Sequence, residues 1–166
     1  MAAPSGLMVR LHGTCVAVSG LGVLLRGPPG SGKSDLALRL IDGGARLVAD
    51  DQVELREEQG VVMASAPARL AGFIEVRGVG IVPVPSVAEA PLALVLDLVG
   101  AGAVERLPEI ESAPLLGVFL PRFPLNPFEV SAAAKVRVAV DAARKNRLGR
   151  DPDFPLALPP DDADFR

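Results

Sequence analysis

The 166-residue sequence contains no tryptophan, no tyrosine, one cysteine and one histidine. The single cysteine, Cys15, excludes an internal disulfide framework, and its aliphatic surroundings are typical of a buried small hydrophobic residue. Because aromatic residues are only 4% of the chain, the core must be aliphatic, which suits a sheet covered by helices. The sequence also has no signal-peptide pattern and no apolar run of about 20 residues. We therefore expect a cytoplasmic protein that makes no membrane contact.

Charge is sparse and slightly negative. The formal net charge is −3 and the pI about 5.2, whereas proteins that bind nucleic acid usually present a basic face. We therefore expect no nucleic-acid partner. With 49% hydrophobic and 22% charged residues, the chain belongs to the globular class and is long enough for one self-sufficient core. We predict one domain over residues 1–149 and a Pro- and Asp-rich tail over residues 150–166.

Apolar patterning predicts a mixture of strands and helices. A hairpin is expected at 14–19 and 21–26, a helix from Lys33 to Gly43-Gly44, and a buried strand at 46–49. Further strands are predicted at 7–11, 52–56, 60–65, 73–76, 79–84, 92–98 and 115–120. A second helix is predicted to begin at Asn126-Pro127-Phe128-Glu129, because these residues have the order of a cap, a first-turn proline and an acid.

The segment Gly27-Pro28-Pro29-Gly30-Ser31-Gly32-Lys33-Ser34 has the G-x-x-x-x-G-K-S pattern of a phosphate loop. Glycines allow successive N–H groups to converge on phosphates, Lys33 places a positive charge on the terminal phosphates, and Ser34 offers a hydroxyl to magnesium. An aliphatic strand precedes the loop and an amphipathic helix follows it, a context that favours this interpretation over an accidental turn. Alone, the loop predicts nucleotide binding and no particular reaction.

Several other polar residues are candidates for the same site. Asp50 and Asp51 end a predicted strand and could divide magnesium steering from proton acceptance, or form a solvated turn. Glu75 and Arg77 share one face of a predicted strand, where the alternative is a surface ion pair. His12 lies at the edge of the hairpin, where the alternative is an ordinary surface or hydrogen-bonded residue.

Four segments in this order resemble the C-terminal catalytic domain of HPr kinase/phosphorylase, the bacterial enzyme that phosphorylates a serine of the phosphocarrier HPr. They are His12-Gly13, 27–34, 47–51 and 74–81. The resemblance covers residues 8–84 and matches a short form without an N-terminal regulatory domain. It implies an α/β fold, a P-loop kinase domain of the PEP carboxykinase-like type with a central mixed sheet and flanking helices. It also implies ATP and Mg²⁺ as cofactors and an HPr-type phosphocarrier as partner.

The resemblance implies a role for each candidate residue. Asp50 matches the catalytic carboxylate that accepts the proton of the substrate serine, and Asp51 matches its acidic neighbour near the metal. His12 matches a histidine that interacts with the catalytic acid. Glu75 matches a second magnesium ligand besides the phosphate-loop serine, and Arg77 lies beside it in the signature strand.

Beyond residue 84 the resemblance weakens. Residues 120–126 stand where longer members carry a loop implicated in phosphorolysis, with Arg122 as a substitute, so the reverse reaction stays open. Assembly into a homo-oligomer also stays open. The main prediction is a serine kinase for HPr or a paralogue, acting in the regulation of carbon metabolism. The alternatives are a small-molecule kinase with the same loop and a nucleotide-sensing module without turnover.

Overall fold

The computed structural model describes residues 7–145 and residue 148, and the predicted tail at 150–166 lies outside them. Two α-helices, one short 3-10 helix (Ala68–Leu70) and eleven strands form in this part of the chain. The helices are α1 (Lys33–Asp42) and α2 (Ala132–Arg144). The strands are β1 (Met8–His12), β2 (Thr14–Val18), β3 (Leu21–Arg26), β4 (Arg46–Ala49), β5 (Gln52–Glu58), β6 (Val61–Ser65), β7 (Phe73–Val76), β8 (Gly80–Pro83), β9 (Glu89–Leu98), β10 (Glu111–Leu115) and β11 (Val118–Leu125).

Nine of these strands form one mixed sheet, with the order β1-β5-β6-β9-β3-β2-β4 and the β10–β11 hairpin attached through β11. β9 is central because it pairs with β3 along one edge and with both β6 and β11 along the other. β3, β9 and β11 are parallel neighbours, so their carboxyl ends meet at one edge of the sheet. β7 and β8 form a separate two-stranded sheet.

The helices cover one face of this sheet. Leu36 and Leu40 of α1 and Val136 of α2 belong to the same buried cluster as Leu25 and Leu96 of the sheet. These apolar positions recur at helical spacing, which is why each helix presents one stripe to the sheet. Within the described residues, neither helix has the length and apolarity that crossing a membrane requires.

On the opposite face, the apolar side chains of the central strands are covered by other strands of the same sheet. Leu24 and Val95 cluster there with Leu55 of β5 and Val62 of β6. Cys15 lies in this cluster and is fully buried, and its burial raises the pKa of the thiol well above its ordinary value. The predicted α/β class with a central mixed sheet is confirmed, with both helices on one side.

The strand predicted at 115–120 was wrong in extent, because two strands meet there. β10 and β11 are joined at Leu116-Gly117, whose φ angles are 52° and 79°. Two successive positive φ angles define the tight turn that fits the twist of a hairpin. The sequence does not predict this turn, because leucine, unlike asparagine or aspartate, rarely adopts a positive φ angle.

The start predicted for the second helix was also wrong. α2 begins at Ala132, with Ser131 at its N-cap, and residues 127–131 form turns. The side-chain Oδ1 of Asn126 accepts a hydrogen bond from the N–H of Phe128 at 3.0 Å. That bond closes a local turn in the way an asparagine side chain often does. The pattern at residues 126–129 therefore marks a turn and not the start of a helix.

Candidate functional site

The phosphate loop connects β3 to α1 and has the backbone that its glycines predict. Gly30 and Gly32 have φ angles of 80° and 99°, in the region that side chains disfavour. A Cβ on Gly27 would lie 2.5 Å from Ser31 Oγ, so a side chain there would collide with the loop. Because α1 begins at Lys33, the positive end of its dipole points into the loop.

The Lys33 ammonium lies across the curve of the loop. Its Nζ donates to the carbonyl oxygens of Gly27 at 2.7 Å and Pro28 at 3.0 Å, and to Ser31 Oγ at 3.4 Å. In the described part of the chain no carboxylate forms an ion pair with Lys33. Since its acceptors are neutral, the loop carries an uncompensated positive charge, which suits an anionic ligand.

Asp50 is the point at which three elements meet. It follows β4 and is only 8% exposed. Its Oδ1 accepts hydrogen bonds from Ser34 Oγ at 2.8 Å and Thr14 Oγ1 at 3.0 Å, and its Oδ2 accepts one from the N–H of Glu75 at 3.1 Å. Asp50 therefore ties the phosphate loop to β2 and β7.

Thr14 was not identified from the sequence, although it is fully buried and donates directly to Asp50. A threonine at the start of a strand carries no distinctive signal. Only the fold reveals that it is one of three buried polar residues among those described, with Asp50 and Asn126.

Asp51 and His12 lie on the outer side of the site. Asp51 has a φ of 69°, which turns its side chain away from that of Asp50 and leaves it 75% exposed. His12 Nδ1 lies 4.0 Å from Asp51 Oδ1, and the Gly13 N–H donates to the Asp51 carbonyl at 3.1 Å. The structure therefore brings His12 together with Asp51 instead of Asp50.

Glu75 joins the site through its backbone, because its N–H binds Asp50 while its side chain is exposed. Ile74, which is 1% exposed, anchors β7 in the core beside it. Arg77 is exposed in the turn between β7 and β8. Among the described residues Glu75 and Arg77 form no ion pair with each other, so the alternative of a surface pair at these positions does not occur.

Ser34 and Asp50 offer hard oxygen donors within hydrogen-bonding distance of each other. Over the described residues, no three His, Cys, Asp or Glu side chains are grouped so that they could hold a metal ion. Magnesium is usually held by one or two protein oxygens together with substrate phosphates and water. The donor set therefore fits a magnesium ion that arrives with a nucleotide.

A second group of charges lies at the same edge of the sheet. Asp97, near the end of β9, accepts two hydrogen bonds from Arg26, from Nε at 2.9 Å and from an Nη at 3.2 Å. Arg122 Nε lies 3.5 Å from the same carboxylate, and its contact with Glu111 raises the pKa of Arg122. These pairs connect β3, β9, β10 and β11.

Comparison with known proteins identifies relatives of this chain. The family model described as the HPr Serine kinase C-terminal domain matches residues 6–90. An HPr kinase/phosphorylase of Clostridium tetani is 47% identical over 98 residues, covering 59% of this chain and 32% of that protein. One from Listeria welshimeri is 41% identical over 104 residues, covering 62% of this chain and 30% of that protein. The chain thus spans about a third of the length of these curated relatives.

A solved structure is similar over most of the chain. It is described as the Hpr(Ser) kinase/phosphatase from Coxiella burnetii, and it matches with a TM-score of 0.75 and 26% sequence identity. The match covers 83% of this chain and 97% of that one. The similarity therefore extends past the residues that the family model matches.

Proposed function

The chain belongs to the family of the HPr Serine kinase C-terminal domain, and from that premise we propose that it is an ATP- and Mg²⁺-dependent protein-serine kinase of an HPr-type phosphocarrier. The observation that carries the proposal is the hydrogen bond between Ser34 Oγ and Asp50 Oδ1. It joins the phosphate loop to the carboxylate that the transfer needs. Regulation of carbon metabolism in the cytoplasm is the setting that this activity implies.

The loop would hold the phosphates of ATP. Lys33 would exchange its bonds to the Gly27 and Pro28 carbonyls for phosphate oxygens, which are stronger acceptors because they are charged. Ser34 would give a lone pair to magnesium while its O–H continues to donate a hydrogen bond to the Asp50 carboxylate. When bound, the ion offsets the negative charge of the phosphates. In this proposal the exposed Glu75 carboxylate is a second candidate ligand, on the element that contacts Asp50.

Asp50 would also act as the base. A carboxylate has about four lone-pair positions, and three of those on Asp50 accept bonds from Thr14, Ser34 and Glu75. One position stays available for the hydroxyl of the substrate serine. As the serine oxygen bonds to the γ-phosphorus, the bond to the bridging oxygen breaks, ADP leaves, and the serine proton passes to Asp50.

The open side of the site favours a protein acceptor over a small molecule. Asp51 and His12 have side chains that are 75% and 83% exposed, and Arg77 is exposed on the neighbouring hairpin. A small acceptor is normally enclosed, because water competes for the phosphoryl group. These three groups would contact the phosphocarrier around its serine, and the pair of His12 and Asp51 would set the charge beside Asp50.

The test uses the full chain, purified HPr, Mg²⁺ and ATP labelled on the γ-phosphate. Wild-type protein should place the label on a serine of HPr, and Asp50→Asn should slow the transfer by roughly 100-fold or more, the usual contribution of a general base. Asp141→Asn is the matched control, since Asp141 is an exposed carboxylate on α2 paired with Lys145; it should keep the wild-type rate.

Two results would contradict the proposal. Absence of phosphoserine on HPr with wild-type protein would refute the kinase activity, and transfer that survives in Asp50→Asn would refute the assigned base. Incubation with phosphate and serine-phosphorylated HPr, followed by assay for pyrophosphate, decides whether the reverse reaction also takes place.

A further inference from the structure

An exposed phenylalanine ring lies directly against the phosphate loop. Phe128 follows β11 and is 67% exposed. A Cβ built on Gly32 would lie 3.3 Å from two carbon atoms of the Phe128 ring and 3.1 Å from Pro127 Cγ. The ring edge therefore touches the loop at the glycine that precedes Lys33, while most of the ring surface remains open to solvent.

The backbone that carries this ring is held in place. Asn126 and Pro127 are buried, the Asn126 side chain accepts the N–H of Phe128, and the Arg39 guanidinium donates to the Pro127 carbonyl. A large apolar ring gains nothing from solvent exposure. Anchoring the backbone so firmly while leaving the ring uncovered therefore suggests that a ligand covers it.

The fold places the ring where the far end of a nucleotide would lie. Residue 126 follows the carboxyl end of β11, and the phosphate loop follows the carboxyl end of β3, at the same edge of the parallel strands. Ligands of open α/β sheets bind outside these strand ends. A nucleoside triphosphate held by its β- and γ-phosphates extends its ribose and base beyond the loop, toward such a flanking segment.

We propose that Phe128 stacks on the base of the nucleotide whose phosphates bind residues 27–34. The inference rests on the proposed function only in requiring that the loop binds a nucleotide. Stacking on an aromatic ring is tolerant of base identity because every base has a π-face. Phe128 would therefore add affinity for nucleotides over base-free polyphosphates, and would discriminate weakly between ATP and GTP.

Because the chain contains no tryptophan, the fluorescence of one introduced indole can report on ligand binding at position 128. Phe128→Trp introduces a single indole, whose fluorescence should change on addition of Mg-ATP and stay unchanged with Mg-tripolyphosphate. In calorimetry, Phe128→Ala should weaken Mg-ATP binding by roughly tenfold, the order expected for loss of one stacked base. Its affinity for Mg-tripolyphosphate should remain that of the wild type.

Phe119 supplies the matched control, since it is also exposed (55%) but lies in the β10–β11 hairpin, opposite Pro114. Phe119→Trp should report neither ligand, and Phe119→Ala should bind both normally. A thermal melt verifies that each variant is folded.

Three results would overturn the inference while leaving the loop assignment intact. Equal ATP affinity in wild type and Phe128→Ala would exclude base stacking. Equal weakening of ATP and tripolyphosphate would show that the ring only shapes the loop. An indole signal at position 128 that follows protein concentration or added HPr, and not ATP, would assign the ring to a protein contact. Failure of wild-type protein to bind either phosphate ligand would instead refute the loop assignment itself, and the inference with it.

Discussion

Replacement of Gly32 by alanine should destabilise the protein more than the same replacement at Gly30. Both glycines have positive φ angles, 99° and 80°, so each alanine meets the strain of a left-handed backbone. Their surroundings differ, because a Cβ at Gly30 has no atom within 4 Å, whereas one at Gly32 lies 3.1–3.3 Å from Pro127 and Phe128. The difference between the two variants therefore isolates the contact of the loop with residues 127–128.

The magnitudes follow from these two contributions. An alanine in the left-handed region costs about 1–2 kcal/mol of strain. The same substitution stabilises by about 0.4–1 kcal/mol, because it lowers the entropy of the unfolded chain. The net effect is that Gly30→Ala is about 1 kcal/mol less stable than the wild type. Gly32→Ala adds about 1–3 kcal/mol of overpacking. For a chain of this size each kcal/mol lowers Tm by about 2–4 °C. At about 3 °C per kcal/mol, we expect a Tm lowered by about 3 °C in Gly30→Ala and by about 6–12 °C in Gly32→Ala.

Circular dichroism melts and urea denaturation of both variants measure the effect. Adding Phe128→Ala to Gly32→Ala should recover part of the loss, because one of the two crowding side chains is removed, whereas adding it to Gly30→Ala should recover none. If the two single variants melt at the same temperature, the segment around Phe128 does not press on the loop, and the reasoning about its position is refuted.

Three further predictions concern the groups around the site. Thr14→Val removes a hydrogen bond to the buried Asp50 carboxylate and should lower the free energy of unfolding, measured in urea, by about 1.5–3 kcal/mol. Thr14→Ser keeps the hydroxyl and should lower it by only about 1 kcal/mol. Equal losses in the two variants would mean that the hydrogen bond contributes nothing. Because burial raises the pKa of Cys15, its thiol should resist Ellman's reagent in the folded state. The contribution of Cys15 to stability should be constant below the ordinary thiol pKa of about 8.5 and fall above it by up to about 1.4 kcal/mol per pH unit as the unfolded thiol ionises. The difference in pH dependence between the wild type and Cys15→Ala measures this contribution. A double-mutant cycle of Arg26→Gln and Asp97→Asn should give a coupling energy of about 1 kcal/mol that decreases in 1 M salt. A coupling energy insensitive to salt would contradict an ion pair whose side chains are 30% and 35% exposed.

The phosphate loop and the elements on either side of it could be predicted from the sequence because their signals are local. The strand before Gly27 and the helix at Lys33 follow from apolar spacing, and both are where the pattern placed them. The break between β10 and β11 could not be predicted, since Leu116 adopts its positive φ within the hairpin and leucine has no preference for it. The start of α2 was predicted wrongly because an asparagine side chain accepts the same backbone N–H hydrogen bond in a helix cap and in a closed turn.

The site could be predicted only in part. The resemblance selected Asp50, Ser34 and Glu75, and the fold brings these three into hydrogen-bonding contact. The contribution of Thr14 depends on the pairing of β2 with β4, whose paired residues are 29 to 34 positions apart in sequence. The divergence of Asp50 and Asp51 depends on one backbone angle at Asp51. Propensity and spacing do not encode either relation.

The central position of β9 constrains the order in which the protein can assemble. β3, which ends at the phosphate loop, has β9 as its neighbour on one side, and β9 extends to Leu98. On the ribosome, the strand that holds the loop can pair with β2 but lacks its second neighbour until about 70 further residues have been made. Pairing over such separations is slow because the intervening chain must be ordered first. A fragment that ends at residue 90, where the family match stops, would contain every predicted catalytic residue and still leave β3 exposed along one edge.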